Sequence, residues 1–189
     1  MKNTHPADRI PNGHLFGITS EELNEVLWFD QQFIKVLNAI SKGAQGIALR
    51  TECEDHAIQI DTQMARLRKV SQLTGIKLKA KENKTLAILL AEVAEAIEKF
   101  SGQEALDTVV TCTAQKICCV RRAIYSNVIT YLGLMEFEEA ELILAETCEE
   151  ERMADDKLQS VAYLKLVPID EIPKRKKGVL AVVQEFFAS

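Results

Sequence analysis

No proline occurs between residues 12 and 167; the four in the chain are Pro6, Pro11, Pro168 and Pro173. A proline inside a helix removes a backbone hydrogen bond and clashes with the preceding turn, so no such break is imposed on this long middle span. Apolar runs are short as well. None approaches the roughly 20 residues that a membrane helix needs, so no membrane partner is expected. The N-terminal stretch MKNTHPADRIPNGH has no apolar segment of the secretory kind. Positive charge is not in excess: 23 Lys and Arg stand against 28 Asp and Glu, a net −5, which argues against a general nucleic-acid binder. The five cysteines are odd in number and lack CxxC spacing. They read as reduced thiols, and the expected location is cytoplasmic. No glycine-rich phosphate loop, nucleophile elbow or zinc-binding spacing is present.

What the chain does have is apolar residues, 47% of the total, recurring with a period near 3.5. Gly43, Gly46, Gly75, Gly102 and Gly133 divide the proline-free span into long segments. The pattern predicts an all-α protein with four long helices, over 20–41, 47–73, 104–131 and 135–165. Residues 76–101 form a crossover with a short helix over 85–100. Two helical hairpins joined by one long crossover are the plan of a ferritin-like four-helix bundle. Thr19-Ser20-Glu21-Glu22 has the form of a capping box at the first helix. The expected domains are a flexible leader over 1–18, a bundle over 19–166 and a tail over 167–189. The tail contains PKRKKG and the apolar VLAVVQEFF, and is expected to dock on the bundle or on a partner subunit.

Each long helix carries an ionisable side chain on its apolar stripe. In the first, Asp30 interrupts Leu23, Val26, Phe33, Leu37 and Ile40; in the second, His56 interrupts Leu49, Cys53, Ile60, Met64 and Leu67. In the third, Arg121 lies among Ala114, Cys118, Tyr125, Val128 and Leu132. In the fourth, Glu151 and Asp155 share the face of Leu144, Cys148, Leu158 and Ala162. Charges in a core must pair or bind metal. Two arrangements satisfy this. One is a di-metal site, since carboxylates suit iron or manganese and imidazole adds a nitrogen. The other is a metal-free ion cluster of Arg121 with Asp30, Glu151 and Asp155. Adjacent Cys118 and Cys119 point about 100° apart on a helix and cannot face one target. His5 and His14 fall in the polar leader.

The stretch AETCEEERMADDKL resembles the fourth helix of the ferritin-like stress proteins of the YciE/YciF type, with its Glu-Glu-x-x-Ala-Asp-x-x-Leu pattern. LWFDQQFIKVL, HAIQIDTQMARLRKVSQLTG and AQKICCVRRAIYSNVITYLGL are similar to the first three long helices. The resemblance spans roughly 20–163. It implies a four-helix bundle, commonly dimeric, with a di-metal centre and no storage cage. It also exposes departures. Asp30 stands where Glu is usual, Cys53 occupies the Glu position of a Glu-x-x-His motif, and Gln59 stands where Glu follows His56. Where the family pattern implies Glu-His-x-Glu, this chain reads Cys118-Cys119-Val120-Arg121. An arginine in place of a carboxylate puts positive charge beside any cation.

The expectation is therefore a stress-associated interaction or structural protein, leaning away from an enzyme. A buried cluster of Asp30, Arg121, Glu151 and Asp155 replaces the metals, no cofactor is needed, and the chain forms a homodimer with an unspecified protein partner. The alternative is a di-iron or di-manganese oxidase, peroxidase or ferroxidase. It would use Asp30, His56, Glu151 and Asp155, with Cys53, Gln59, Cys118 and Tyr125 as accessories; a third variant holds a single metal with His56 and those carboxylates.

Overall fold

The computed structural model describes residues 13–103 and 105–166. It is all-helical: α1 (Gly13–Gly43), α2 (Ile47–Thr74), α3 (Lys84–Phe100), α4 (Leu106–Leu134) and α5 (Glu138–Leu166). Four long helices with a short helix in the crossover is the architecture that the periodicity predicts.

α1 begins earlier than the capping pattern suggests. The Thr19 hydroxyl donates to the Leu15 carbonyl at 2.8 Å within the helix and does not cap it. Leu15 and Phe16, assigned above to a leader, pack against the core. Their apolar burial extends the helix back to Gly13. Residues 1–12 and the tail 167–189 lie outside the described residues, and so does the docking expected of the tail.

Chain order and contacts fix the topology. α1 packs on α2 and α4, and α5 on α2 and α4, so the four long helices form a ring in the order α1, α2, α5, α4. The connection from α2 to α4 therefore crosses a diagonal. After α2, Gly75 adopts the left-handed conformation (φ 76°) and its N–H reaches the Ser71 carbonyl, a helix end that favours glycine. The chain then passes the start of α1, where Lys81 N–H donates to the Asn24 carbonyl at 3.1 Å. Asn83 caps α3, accepting from the N–H groups of Thr85 and Leu86 at 2.9 and 3.1 Å. α3 climbs along α1 and delivers α4 to the far end of the bundle. There Asp107 accepts from the backbone N–H groups of Gln45 and Gly46 at 3.0 and 2.7 Å. That places a carboxylate at the positive end of α2 and ties the two hairpins together.

The core has two apolar halves. One holds Phe33, Leu37, Ile60, Cys118, Ala154 and Leu158; the other holds Leu23, Val26, Met64, Leu67, Tyr125 and Leu144. Between them, at the same level on four helices, lie Asp30, Gln63, Arg121 and Glu151.

Candidate functional site

Arg121 is the centre of this polar layer and is completely buried. Its stripe on α4 carries buried Cys118 and Tyr125 about a turn to either side, so the helix cannot rotate it to solvent without exposing them. A buried guanidinium keeps its charge and must find acceptors. It finds three. Nε donates to Asp30 Oδ1 at 3.0 Å, and Nη2 lies 2.9 Å from the same oxygen. Nη2 also donates to Gln63 Oε1 at 2.9 Å. Nη1 forms an ion pair with Glu151 Oε2. Phe33 and Tyr125 flank the cation, with Cζ 5.9 and 5.8 Å from their ring centres, a cation–π arrangement.

The partners are themselves held. Tyr125 donates its hydroxyl to Asp30 Oδ2 at 3.2 Å. His56 Nε2 lies 3.3 Å from Glu151 Oε1, and its ring stands perpendicular to Phe33 at 5.6 Å. An ionised carboxylate only accepts, so the shared proton belongs on Nε2. The other ring nitrogen, Nδ1, is buried without a partner. Gln63 turns its amide N–H to Glu150 Oε2 at 3.1 Å. Glu150 in turn takes both terminal nitrogens of Arg66, at 2.5 and 2.7 Å. A hydrogen-bonded path thus runs from the bundle centre to a half-buried ion pair.

The two carboxylates on Arg121 differ. Burial raises Asp30 to about 6, since Arg121 offsets only part of the desolvation and Glu151 adds repulsion. Burial also acts on Glu151, but Arg121 and the His56 hydrogen bond outweigh it and hold the carboxyl down at about 2. Tyr125 is pushed well up by burial and by Asp30. Cys53 is raised to about 12, chiefly by burial.

The geometry brings Asp30, His56, Arg121, Tyr125 and Glu151 together, with Cys118 beside them. It does not bring Asp155 in. That carboxylate is half-buried, 3.2 Å from Arg122 Nη1 and 3.8 Å from Cys119 Sγ. Arg122 is about 100° round α4 from Arg121, and this neighbouring cation draws Asp155 to the outer seam. Gln59 is also only half-buried. Gln63, one turn further along α2, takes the inward position. It lies seven residues from His56, on the same face, and that spacing is the signal by which it could have been found. Cys53 packs in the apolar half.

Two iron or manganese ions do not fit this donor set. Such a site takes carboxylates from all four helices and two histidines. Here the guanidinium stands between Asp30 and Glu151 and uses an oxygen of each. It would set a fixed positive charge against a second cation.

Comparison with known proteins places the chain. The family described as "Domain of unknown function (DUF892)" matches residues 17–167. Protein YciF of Escherichia coli (strain K12) is 26% identical over 142 residues, which cover 74% of this chain and 85% of that protein. The crystal structure of the E. coli stress protein YciF superposes with a TM-score of 0.78 at 22% identity, over 80% of this chain and 96% of that one. YcfI of Rhodopseudomonas palustris does so with a TM-score of 0.73 at 21% identity, over 77% and 92%. The chain belongs to the DUF892 family, the helical-bundle family of the YciE/YciF type.

Proposed function

We propose that this protein is a stress-associated interaction or structural protein that catalyses no reaction of its own. In this reading its bundle has the ferritin-like plan, and a buried ion cluster stands in place of a di-metal centre. The observation that carries the reading is Arg121, buried among Asp30, Gln63 and Glu151. A buried charge held by partners from three helices pins helix register. It ties α1, α2 and α5 to α4, which suits a rigid scaffold presenting its outer faces. The stress role rests on the similarity to YciF, whose crystal structure is described as that of a stress protein. No helix is long and apolar enough to cross a membrane among the described residues; we place the protein in the cytoplasm, as a homodimer without nucleic acid. The test is elemental analysis and a ferroxidase assay on protein purified from cells grown with added iron and manganese. No paired iron or manganese is expected. Two such ions per chain with turnover of ferrous iron would overturn the proposal.

A further inference from the structure

Beside the guanidinium lies a second grouping that the ion cluster leaves partly unused. His56 on α2, Cys118 on α4 and Glu151 on α5 are all buried, and one ligand atom of each lies within 4.8 Å of the others. We infer that these three residues form a site for a single thiophilic divalent cation, of which zinc is the chemical archetype. The inference rests on the reading that Arg121 fills the place of a second ion.

Donor chemistry comes first. Thiolate and imidazole with one carboxylate select zinc-like ions over manganese or magnesium, which prefer all-oxygen shells. Tetrahedral zinc has arms of about 2.0–2.3 Å, so its ligand atoms sit roughly 3.3–3.8 Å apart. From a spread of 4.8 Å, side-chain tips need move only about an ångström to close on an ion. Three protein donors leave the fourth tetrahedral position open to a water or small ligand.

The imidazole comes second. His56 reaches Glu151 through Nε2 alone, and that nitrogen becomes a ligand when the ring proton moves to Nδ1, so an ion replaces one hydrogen bond. Charge comes third. With Asp30 and Glu151 ionised and Arg121 charged, the two carboxylates and the guanidinium carry one net negative charge. A divalent ion that displaces the Cys118 thiol proton adds one net positive charge, so the loaded site is neutral. A second divalent ion would leave it strongly positive. Arg121 Nη1 already occupies Glu151 Oε2, so the ion would take Oε1 in place of its contact with His56.

Cobalt(II) is the probe, because it follows zinc in geometry and colours a thiolate site. The purified full chain should bind one cobalt per chain with a thiolate-to-cobalt charge-transfer band, and zinc should bleach it. Cys118→Ser should abolish the band, and His56→Gln should weaken binding at least about tenfold. Helical circular dichroism would check that both variants fold. Cys112→Ser and Cys119→Ser remove exposed thiols and should leave the band intact. Three results would overturn the inference: no cobalt uptake, uptake without the band, or a band that follows the exposed cysteines. Each would leave the role of Arg121 standing. Paired iron in the parent chain would instead defeat the proposed function.

Discussion

Replacing Arg121 with alanine tests the ion cluster directly. The side chain is fully buried, and three helices supply its acceptors: Asp30 from α1, Gln63 from α2 and Glu151 from α5. Truncation leaves two carboxylates facing each other without a counter-charge, and removes the cation between Phe33 and Tyr125. Breaking a buried pair in this way costs about 3–5 kcal/mol. At about 2–4 °C per kcal/mol for a domain of this size, melting should fall by roughly 6–20 °C at pH 7. The loss should depend on pH. Without the guanidinium both carboxyls have raised folded pKa values. A carboxyl raised in the folded state weighs against folding above that pKa and ceases to as pH falls through it, so the variant should regain stability toward about pH 5. Urea denaturation followed by helical circular dichroism, at pH 7 and pH 5, measures both effects. The triple variant Arg121→Met with Asp30→Asn and Glu151→Gln leaves no orphan charge and should cost much less. An Arg121→Ala protein within about 1 kcal/mol of the parent at pH 7 would refute the reasoning, because it would mean that Arg121 does not carry the layer.

The parent chain should itself become more stable as pH falls from 8 toward 5. Asp30 is raised from 3.8 to about 6, and Glu52, buried 3.7 Å from Lys157, from 4.5 to about 7 by burial. Each weighs against folding at neutral pH by about 3 kcal/mol, and is relieved as the proton returns. Glu151, lowered from 4.5 to about 2, gives the opposite sign, so its contribution holds down to about pH 4.5 and is lost below it. Asp30→Asn should flatten the rise between pH 7 and 5; an unchanged slope would contradict the assignment. Glu150→Ala strips Arg66 of its two-pronged partner and leaves Gln63 Nε2 unpaired, and should cost about 1–2 kcal/mol in a urea melt. Glu149→Ala, whose partner Arg152 is exposed, should leave the same melt unchanged. Light scattering at micromolar concentration should give twice the 21.2 kDa chain mass; the monomer mass would exclude the dimer.

The sequence by itself determined the helices and the face each one buries. Helical periodicity is a local property: the stripe Leu23, Val26, Asp30, Phe33, Leu37 and Ile40 on α1 is wholly buried, and so is Ala114, Cys118, Arg121, Tyr125, Val128 and Leu132 on α4. Four charged interruptions on those stripes were enough to place a polar layer at mid-bundle. Tertiary structure decided who pairs with whom. Asp155 shares its stripe with Glu151, yet Arg122 takes it outward, because the offset of α5 against α4 sets which arginine each carboxylate meets. Gln63 and Met64 both border the inward face of α2, and only the acceptors and donors brought by Arg121 and Glu150 make an amide tolerable there. The start of α1 likewise depended on packing: Thr19 could cap or bond backwards, and burial of Leu15 and Phe16 against distant side chains settled it. Pairings of this kind depend on helix rotation and lateral shift, which no single helix encodes.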